Sequence, residues 1–166
     1  MIDFKRVIRS VYYFFRCDIP YGVRNLIRWF FIIWRDRDWD PVYIYDILGK
    51  KLEFQSEHIR SQDRHTTAQE DADRMDRCVE LIGRLREQSC FDEEMTAHED
   101  RWGMHTVDDT GLFCLPFIRE NVKTPEDERL ESNDLDGAME IAEERHRREK
   151  RELFDTMCEH IEEWWD

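Results

Sequence analysis

Turn-forming residues are scarce in this chain of 166 residues, which has only six glycines and four prolines. Glycine and proline are the residues that most often end helices and strands. Long elements joined by few loops are therefore expected, and Leu, Ile, Glu, Arg and Met fill the periodic stretches between them. The sequence predicts an all-α fold: a helical hairpin plus a long C-terminal helix, with an aromatic, basic N-terminal arm.

The charge of the chain is segregated along its length. Its net charge is -14, yet residues 1–38 hold eight Lys and Arg against four Asp, a net charge of +4. The remaining 128 residues hold 17 basic and 35 acidic residues, a net charge of −18. This asymmetry predicts that the N-terminal part contacts an anion, a membrane surface or the acidic face of another subunit. The acidic part would repel phosphates, which argues against binding of duplex nucleic acid.

The N-terminal arm is unusually aromatic. Residues 1–17 predict a short basic amphipathic helix, and Pro20 and Gly22 predict a turn over residues 18–22. Residues 23–35, VRNLIRWFFIIWR, are apolar almost all round and predict a buried helix. A buried strand at residues 29–34 is the alternative, because aromatic and β-branched residues dominate there.

The stretch WRDRDWDP, residues 34–41, is interpreted as a joint. Aspartate is a strong N-cap and proline suits the first helical position, so Asp40 is expected to cap a helix from Pro41 to about Gln62. Asp36 and Asp38 can neutralise the neighbouring arginines. We therefore divide one compact domain into a basic aromatic arm, residues 1–39, and an acidic helical body, residues 40–166.

The body begins with a predicted antiparallel hairpin. Its first helix has an apolar stripe of Ile44, Ile47, Leu48, Leu52 and Ile59. After a polar loop at 61–67, a second helix is predicted from about Ala68 to Cys90, with Met75, Val79, Ile82 and Leu85 on one face. Thr67 and Glu70 have the spacing of a capping box at its start.

The rest of the body is predicted to end in a long helix. A short helix is expected at residues 93–102, an extended segment at 111–118 and a loop at 121–133. Asn133 is the expected cap of the last helix, whose end, residues 153–165, should pack on the core. Its polar middle, EERHRREKRE, is expected to face solvent or another subunit.

Several pieces of the chain resemble a group of small accessory proteins encoded by tailed bacteriophages. These pieces are WRDRDWD with the Tyr- and Leu/Ile-rich helix after it, a loop containing His, the next helix, and the terminal HIEEWWD. The likeness covers roughly residues 29–91 and 152–166. It implies a viral origin and expression in the bacterial host cytoplasm, and it carries over no catalytic residue.

No pattern in the sequence indicates an enzyme. The five cysteines include no CxxC pair, so we interpret them as free thiols of a reducing compartment. Glu94 and His98 have a usable ligand spacing, but without an HExxH motif the histidines are interpreted as surface or helix-face residues. Two ExxE pairs, at residues 140–143 and 159–162, lie about 28 Å apart on one predicted helix and cannot share an ion. No metal or cofactor is predicted.

Arginines and aromatic residues alternate in the arm and its joint. Guanidinium groups grip phosphates and aromatic faces stack on bases. The candidate ligand-binding residues are Arg24, Arg28, Arg35, Arg37, Trp39 and Tyr43. They suit a non-enzymatic phage protein that sequesters a small phosphorylated nucleotide signal of host defence.

Two other functions fit the same sequence. The protein is alternatively an inhibitor or DNA mimic of a host protein, or a peripheral protein anchored to the inner membrane surface by residues 1–35. Its longest apolar run has six residues, far short of the roughly 20 that span a bilayer, and no secretory signal is visible. The aromatic load of residues 1–35 also predicts a homo-oligomer, most simply a dimer.

Overall fold

The computed structural model describes residues 9, 11–35, 37, 40, 42–62, 66–106 and 118–165, and these are almost entirely helical. The predicted all-α class is confirmed. The chain forms two compact units, Met1–Ile47 and Leu48–Asp166. Their boundary falls within a helix, later in the chain than the arm–body division predicted at residues 39 and 40.

The N-terminal unit contains a helix that continues through Pro20. Residues 11–13 are helical, a π turn covers Phe14–Asp18, and helix α1 covers Ile19–Arg35. The predicted turn over 18–22 is therefore wrong, because the π turn accommodates the proline without ending the helix. Residues 29–34 are helical, so the strand alternative is wrong as well. No residue of α1 is buried, which contradicts the prediction of a buried helix.

Helix α2, Val42–Gln62, starts as predicted from the WRDRDWDP stretch. The Asp40 carboxylate accepts a hydrogen bond from the backbone N–H of Val42 at 2.9 Å, which is the capping contact expected of an aspartate at a helix start. Pro41 and the two neighbouring aspartates, Asp36 and Asp38, lie outside the described residues.

Helix α3, Ala68–Glu87, returns antiparallel to α2 within the C-terminal unit. The hydroxyl of Ser56 donates to Asp76 at 2.5 Å, and Arg60 pairs with Asp73 at 2.7 Å. Earlier in α2, a Cβ on Gly49 would lie 3.2 Å from Ile82, so glycine permits a close approach of the two helices. The predicted helical hairpin is confirmed.

The buried face of α2 differs from the predicted apolar stripe. Gly49, Leu52 and Ser56 are buried, whereas Ile44 is 68% exposed and Ile47 is 38% exposed. Small residues were missed because a hydrophobicity pattern gives no weight to glycine or serine, although both let helix backbones approach. In α3 the prediction was closer, since Met75, Ile82 and Leu85 are all buried.

The helix ends in this region follow backbone geometry that the sequence did not reveal. Thr67 precedes α3 but makes no side-chain capping bond, so the predicted Thr67–Glu70 capping box is wrong. Helix α3 ends before Gln88, which adopts a left-handed conformation (φ 54°) and turns the chain into helix α4, Ser89–Trp102. The short helix expected at residues 93–102 is thus the second part of α4.

A two-residue antiparallel pair links α4 to the last helix. Strands β1, His105–Thr106, and β2, Ile118–Arg119, pair with His105 opposite Arg119. Gly103 just before β1 has φ 86°, a conformation that side chains other than glycine rarely adopt. The extended segment predicted at 111–118 lies outside the described residues except for its last position, which is in β2.

Helix α5, Pro125–His160, begins about two turns earlier than predicted. The Thr124 hydroxyl accepts from the Asp127 N–H at 3.1 Å, and the Asp127 carboxylate accepts from the Thr124 N–H at 2.9 Å. This is a complete capping box with Pro125 in the first turn. The predicted loop at 121–133 and the predicted cap at Asn133 are both wrong, because the polar TPEDE stretch is the start of the helix.

We expect Thr124→Ala to lower the free energy of unfolding by about 1 kcal/mol, because it leaves a helix N–H group without its acceptor. Urea unfolding followed by circular dichroism measures the loss. Thr67→Ala is the matched control, since that threonine precedes α3 without a capping bond. Equal losses in the two variants would contradict the assigned role of Thr124.

The core of the C-terminal unit lies where α5 packs against α3 and α4. Its largest fully buried apolar side chains include Met75, Leu81 and Leu153, and Ala72 and Ala142 are buried with them. Trp164, in a final 3₁₀ turn at Glu163–Trp165, is 3% exposed, which confirms the predicted packing of the C-terminal end.

The polar middle of α5 was predicted to face solvent or another subunit, but part of it pairs with neighbouring helices of the same chain. Arg145 pairs with Glu93 and Glu94 of α4, and Glu149 pairs with Arg84 of α3. The charged residues of EERHRREKRE thus divide between solvent and ion pairs with the neighbouring helices.

Candidate functional site

The most prominent surface among the described residues is an exposed apolar face on α1. Helical geometry, at about 100° per residue, places seven large apolar side chains within an arc of about 120°. We call this set the apolar face: Ile19, Val23, Leu26, Ile27, Phe30, Ile33 and Trp34. Each is exposed, with Leu26 at 69% and Trp34 at 72%. The ring of Phe30 stacks on Trp34 at 5.5 Å, which makes the end of the face continuous.

The opposite side of α1 is cationic. Arg24, Arg28 and Arg35 lie within a sector of about 40°, centred roughly opposite the apolar face. All three are exposed, and residues 19–35 contain no aspartate or glutamate. The helix is therefore amphipathic, and every charged residue on its polar side is basic, with the exposed Tyr21 beside the arginines. The sequence was interpreted as apolar almost all round because the spacing of its arginines along the chain was considered and their angular position about the helix axis was not.

The predicted ligand-binding residues fall into three groups. Arg24, Arg28 and Arg35 share the cationic side of α1, over about 16 Å of helix axis. Arg37 is exposed beyond the end of α1, and Tyr43 lies in the first turn of α2. Trp39 lies outside the described residues. The structure thus brings three of the arginines into one line.

A second cluster of charge surrounds His98, which is fully buried in α4. Its Nδ1 lies 2.7 Å from Asp134 and its Nε2 lies 3.0 Å from Glu131, both in α5. The buried Arg119 of β2 pairs with Glu131 at 2.6 Å and donates to the Gly103 carbonyl at 2.9 Å. The cluster joins α4, α5 and the strand pair, so its position points to a structural role.

His98 is therefore not a surface residue but a buried one on the face of α4 that packs against α5, and Glu94, which has a usable ligand spacing to it, is not its partner. Glu94 faces Arg145 at 2.7 Å, whereas His98 faces the carboxylates of α5. The partners Glu131 and Asp134 are 33 and 36 residues away. Because no local spacing links such positions, sequence patterns could not have identified the cluster.

A third network ties α3, α4 and α5 together around Cys90. Arg84 lies 2.8 Å from Glu149 and 2.9 Å from Glu93, and its guanidinium is 3.7 Å from the buried Cys90 thiol. Arg145 pairs with the same Glu93. These partners are all protein side chains from three helices, so the network ties α3, α4 and α5 to one another.

Several carboxylates in these networks have a lowered pKa. Burial raises the pKa of Glu149, but hydrogen bonds from Arg84 and Cys90, with the charge of Arg84, outweigh it and hold the pKa below its ordinary value of 4.5. Burial likewise raises the pKa of Asp134, and His98, Trp102 and Arg101 lower it below 3.8. Both groups favour the ionised state in the folded chain.

We expect stability to fall as the pH is lowered below about 4.5. A carboxylate whose pKa is lowered by folding contributes stability above its unfolded pKa, and the contribution is lost as the pH falls through the folded value. Urea midpoints measured from pH 6 down to about pH 3 test this. Glu149→Gln should flatten the decline, whereas Glu140→Gln, at an exposed position of the same helix, should leave it unchanged.

The four cysteines that the structure describes are all free thiols, as predicted, and they divide into two classes. Cys17 and Cys158 are exposed, whereas Cys78 and Cys90 are buried. Burial raises the pKa of Cys78 to about 11 and also raises that of Cys90. Because the thiolate is the reactive form, exposed and ionisable thiols react first.

A disulfide reagent should therefore label Cys17 and Cys158 rapidly in the native chain. Cys78 and Cys90 should react only after unfolding in urea. Peptide mass spectrometry at successive times measures the order of labelling. Native-state labelling of Cys78 as fast as that of Cys17 would contradict the burial of its side chain.

The paired acids of α5 lie on the helix surface. Glu140 and Glu143 are exposed, and Glu143 lies 3.8 Å from Arg147. An open depression of about 410 Å³ nearby is lined by Glu140, Glu144, Arg147, Arg148 and Arg151, side chains of mixed charge on one helix. Among the described residues, no group of three or more His, Cys, Asp or Glu side chains is placed to hold a metal ion.

Within the described residues, no helix combines the length and apolar character needed to cross a membrane. Comparisons of the chain with protein-family models, with curated proteins and with solved structures find no match.

Proposed function

We propose that this protein is a peripheral membrane-surface protein whose N-terminal arm binds anionic lipid. The observation that carries the proposal is the two-sided character of α1. Its apolar face is exposed from Ile19 to Trp34, while Arg24, Arg28 and Arg35 occupy the other side. Helices of this kind lie in the membrane interface, with Trp, Phe and Leu buried among the acyl chains and Lys or Arg on the polar side.

The energetics favour lipid as the occupant of the apolar face. Full burial of one large apolar side chain contributes about 1.5–3 kcal/mol, so partial burial of seven contributes several kcal/mol. Each arginine near an anionic surface adds about 1 kcal/mol. The absence of acidic residues from α1 means that nothing in the helix opposes this attraction.

Charge segregation supports a defined orientation on the surface. The chain beyond residue 38 carries the whole net negative charge, with 35 acidic and 17 basic residues. An anionic surface repels that part and attracts the arm. The phage origin that the sequence predicts would place such a surface at the cytoplasmic face of the host inner membrane.

The nucleotide-binding function remains a prediction with weaker support. A row of arginines about 16 Å long suits an extended anionic surface better than the phosphates of one small nucleotide. Titration calorimetry with a panel of cyclic and linear nucleotides tests it directly. Inhibition or DNA mimicry of a host protein, and the predicted homo-oligomer, also remain predictions. A pull-down from host lysate tests the former and light scattering the latter.

Vesicle flotation tests the membrane proposal. The full chain should float with phosphatidylcholine vesicles that contain phosphatidylglycerol, and it should float less with phosphatidylcholine alone. About 1 M salt shortens the Debye length to about 3 Å and should reduce the difference between the two. A chain that stays at the bottom of the gradient with anionic vesicles at low salt would overturn the proposal.

A further inference from the structure

The π turn at Phe14–Asp18 has an identifiable cause. The backbone N–H of Ile19 donates to the Phe14 carbonyl, five residues earlier. Pro20 follows directly, and proline inside a helix has no N–H to donate and clashes with the carbonyl four residues before it, here that of Arg16. A π turn is one of the ways in which a helix accommodates such a defect.

The π turn changes which side chains share a face. It holds one residue more than an α-helical turn, so the segment before it is rotated by about 100° relative to a regular helix. In a regular helix Val11 and Arg9 would each be rotated about 80° from Ile19 about the helix axis, in opposite directions. With the extra residue, Val11 lies about 20° from Ile19 and Arg9 about 180° from it.

This rotation aligns the segment before the π turn with both sides of α1. Val11 joins the apolar face, and it is 50% exposed like the members of that face. Arg9, also exposed, joins the side of Arg24 and Arg28. Without the extra residue, Arg9 would lie at the same angle as Ile27, at the edge of the apolar face.

We infer that the π turn extends the lipid-binding surface back to Val11, giving one continuous apolar face from Val11 to Trp34 with arginines opposite it throughout. The inference rests on the proposed membrane function and adds the extent of the surface and the device that aligns it. The bound segment is then about 36 Å long, compared with about 26 Å for α1 alone.

Spin labels placed along the arm test the alignment. Four full-length variants each receive one labelled cysteine at matched positions: Val11→Cys and Val23→Cys on the apolar face, Arg9→Cys and Arg24→Cys opposite. The background carries Cys17→Ser, Cys114→Ser and Cys158→Ser, while the buried Cys78 and Cys90 remain. Accessibility to oxygen, which partitions into lipid, is compared with accessibility to a water-soluble nickel chelate on anionic vesicles.

We expect labels at 11 and 23 to be several-fold more accessible to oxygen than to the nickel chelate. Labels at 9 and 24 should be more accessible to the nickel chelate. One outcome is that the label at 23 lies in lipid while the label at 11 is as accessible to nickel as the label at 24. That outcome would overturn the continuous face and leave the membrane function standing. Labels at 11 and 23 that are both exposed to nickel, in a chain that does not float, would overturn both.

Discussion

Replacing Leu26 and Phe30 together with glutamate is expected to abolish binding of the protein to anionic vesicles. Both side chains are exposed members of the apolar face, at 69% and 51%. Each loses about 1.5–3 kcal/mol of apolar transfer energy, so the partition coefficient should fall by at least about 100-fold. The new carboxylates would also be repelled by the lipid. Sedimentation with vesicles over a lipid titration measures the change.

A matched pair of substitutions separates this effect from a general loss of apolar surface. Ile141 and Phe154 lie on α5 and are 51% and 47% exposed. Ile141→Glu with Phe154→Glu adds the same charge and removes similar side chains, yet it should leave vesicle binding within about twofold, a difference of about 0.4 kcal/mol. Equal losses from both double variants would show that net charge, and not the apolar face, controls binding.

His98→Ala is expected to destabilise the C-terminal unit strongly. His98 is fully buried between Asp134 and Glu131, and its removal takes a partner from two carboxylates and opens a cavity between α4 and α5. A carboxylate left without its buried hydrogen-bond partner costs about 1–3 kcal/mol, and the cavity adds to the loss. Urea unfolding followed by circular dichroism measures the loss.

His58→Ala provides the control, because His58 is exposed on α2 and a surface substitution usually changes stability by less than about 0.5 kcal/mol. Vesicle binding by folded His98→Ala protein should match that of the parent chain, since His98 lies in the C-terminal unit and the arm proposed to bind lipid lies in the N-terminal unit. A loss in the free energy of unfolding below about 1 kcal/mol would contradict the structural role of the His98 cluster.

The features that could be predicted from the sequence are those carried by neighbouring residues. Asp40 before proline predicted the start of α2, and a polar loop between two apolar stripes predicted the α2–α3 hairpin. The signal for the cap at Thr124 also lies in neighbouring residues, since TPED combines an N-cap residue, a proline and an acidic residue at the spacing of a capping box. It was missed because the charged, weakly apolar stretch after it was interpreted as a loop.

The structure of the arm depended on details that a hydrophobicity pattern omits. The angles of Arg24, Arg28 and Arg35 follow from the sequence once residues 19–35 are taken as one helix. Pro20 argued against such a helix, because proline usually ends one. Proline marks a defect in the backbone hydrogen bonding of a helix, but it does not show whether the helix ends there or continues through a π turn.

The His98 cluster could not be predicted, for a different reason. Its members lie in α4, β2 and α5, and their contacts exist only because α5 folds back along α4. Histidine and acidic residues are common throughout this charged chain, so their presence carried little information about which of them meet. Tertiary packing selected Glu131 and Asp134 from many candidates.

The C-terminal turn has a consequence for the order in which the chain folds. The backbone carbonyl of Trp164 accepts a hydrogen bond from Gln55 of α2 across 109 residues, whereas the α4–α5 contacts of His98 span 33 and 36. Closing a longer loop costs more chain entropy, and distant contacts form late. The α2–α3 hairpin, whose side-chain contacts span 13 and 20 residues, and then the α4–α5 pair are therefore expected to form before this contact. During synthesis, the contact between α2 and Trp164 can form only after almost the entire chain has left the ribosome.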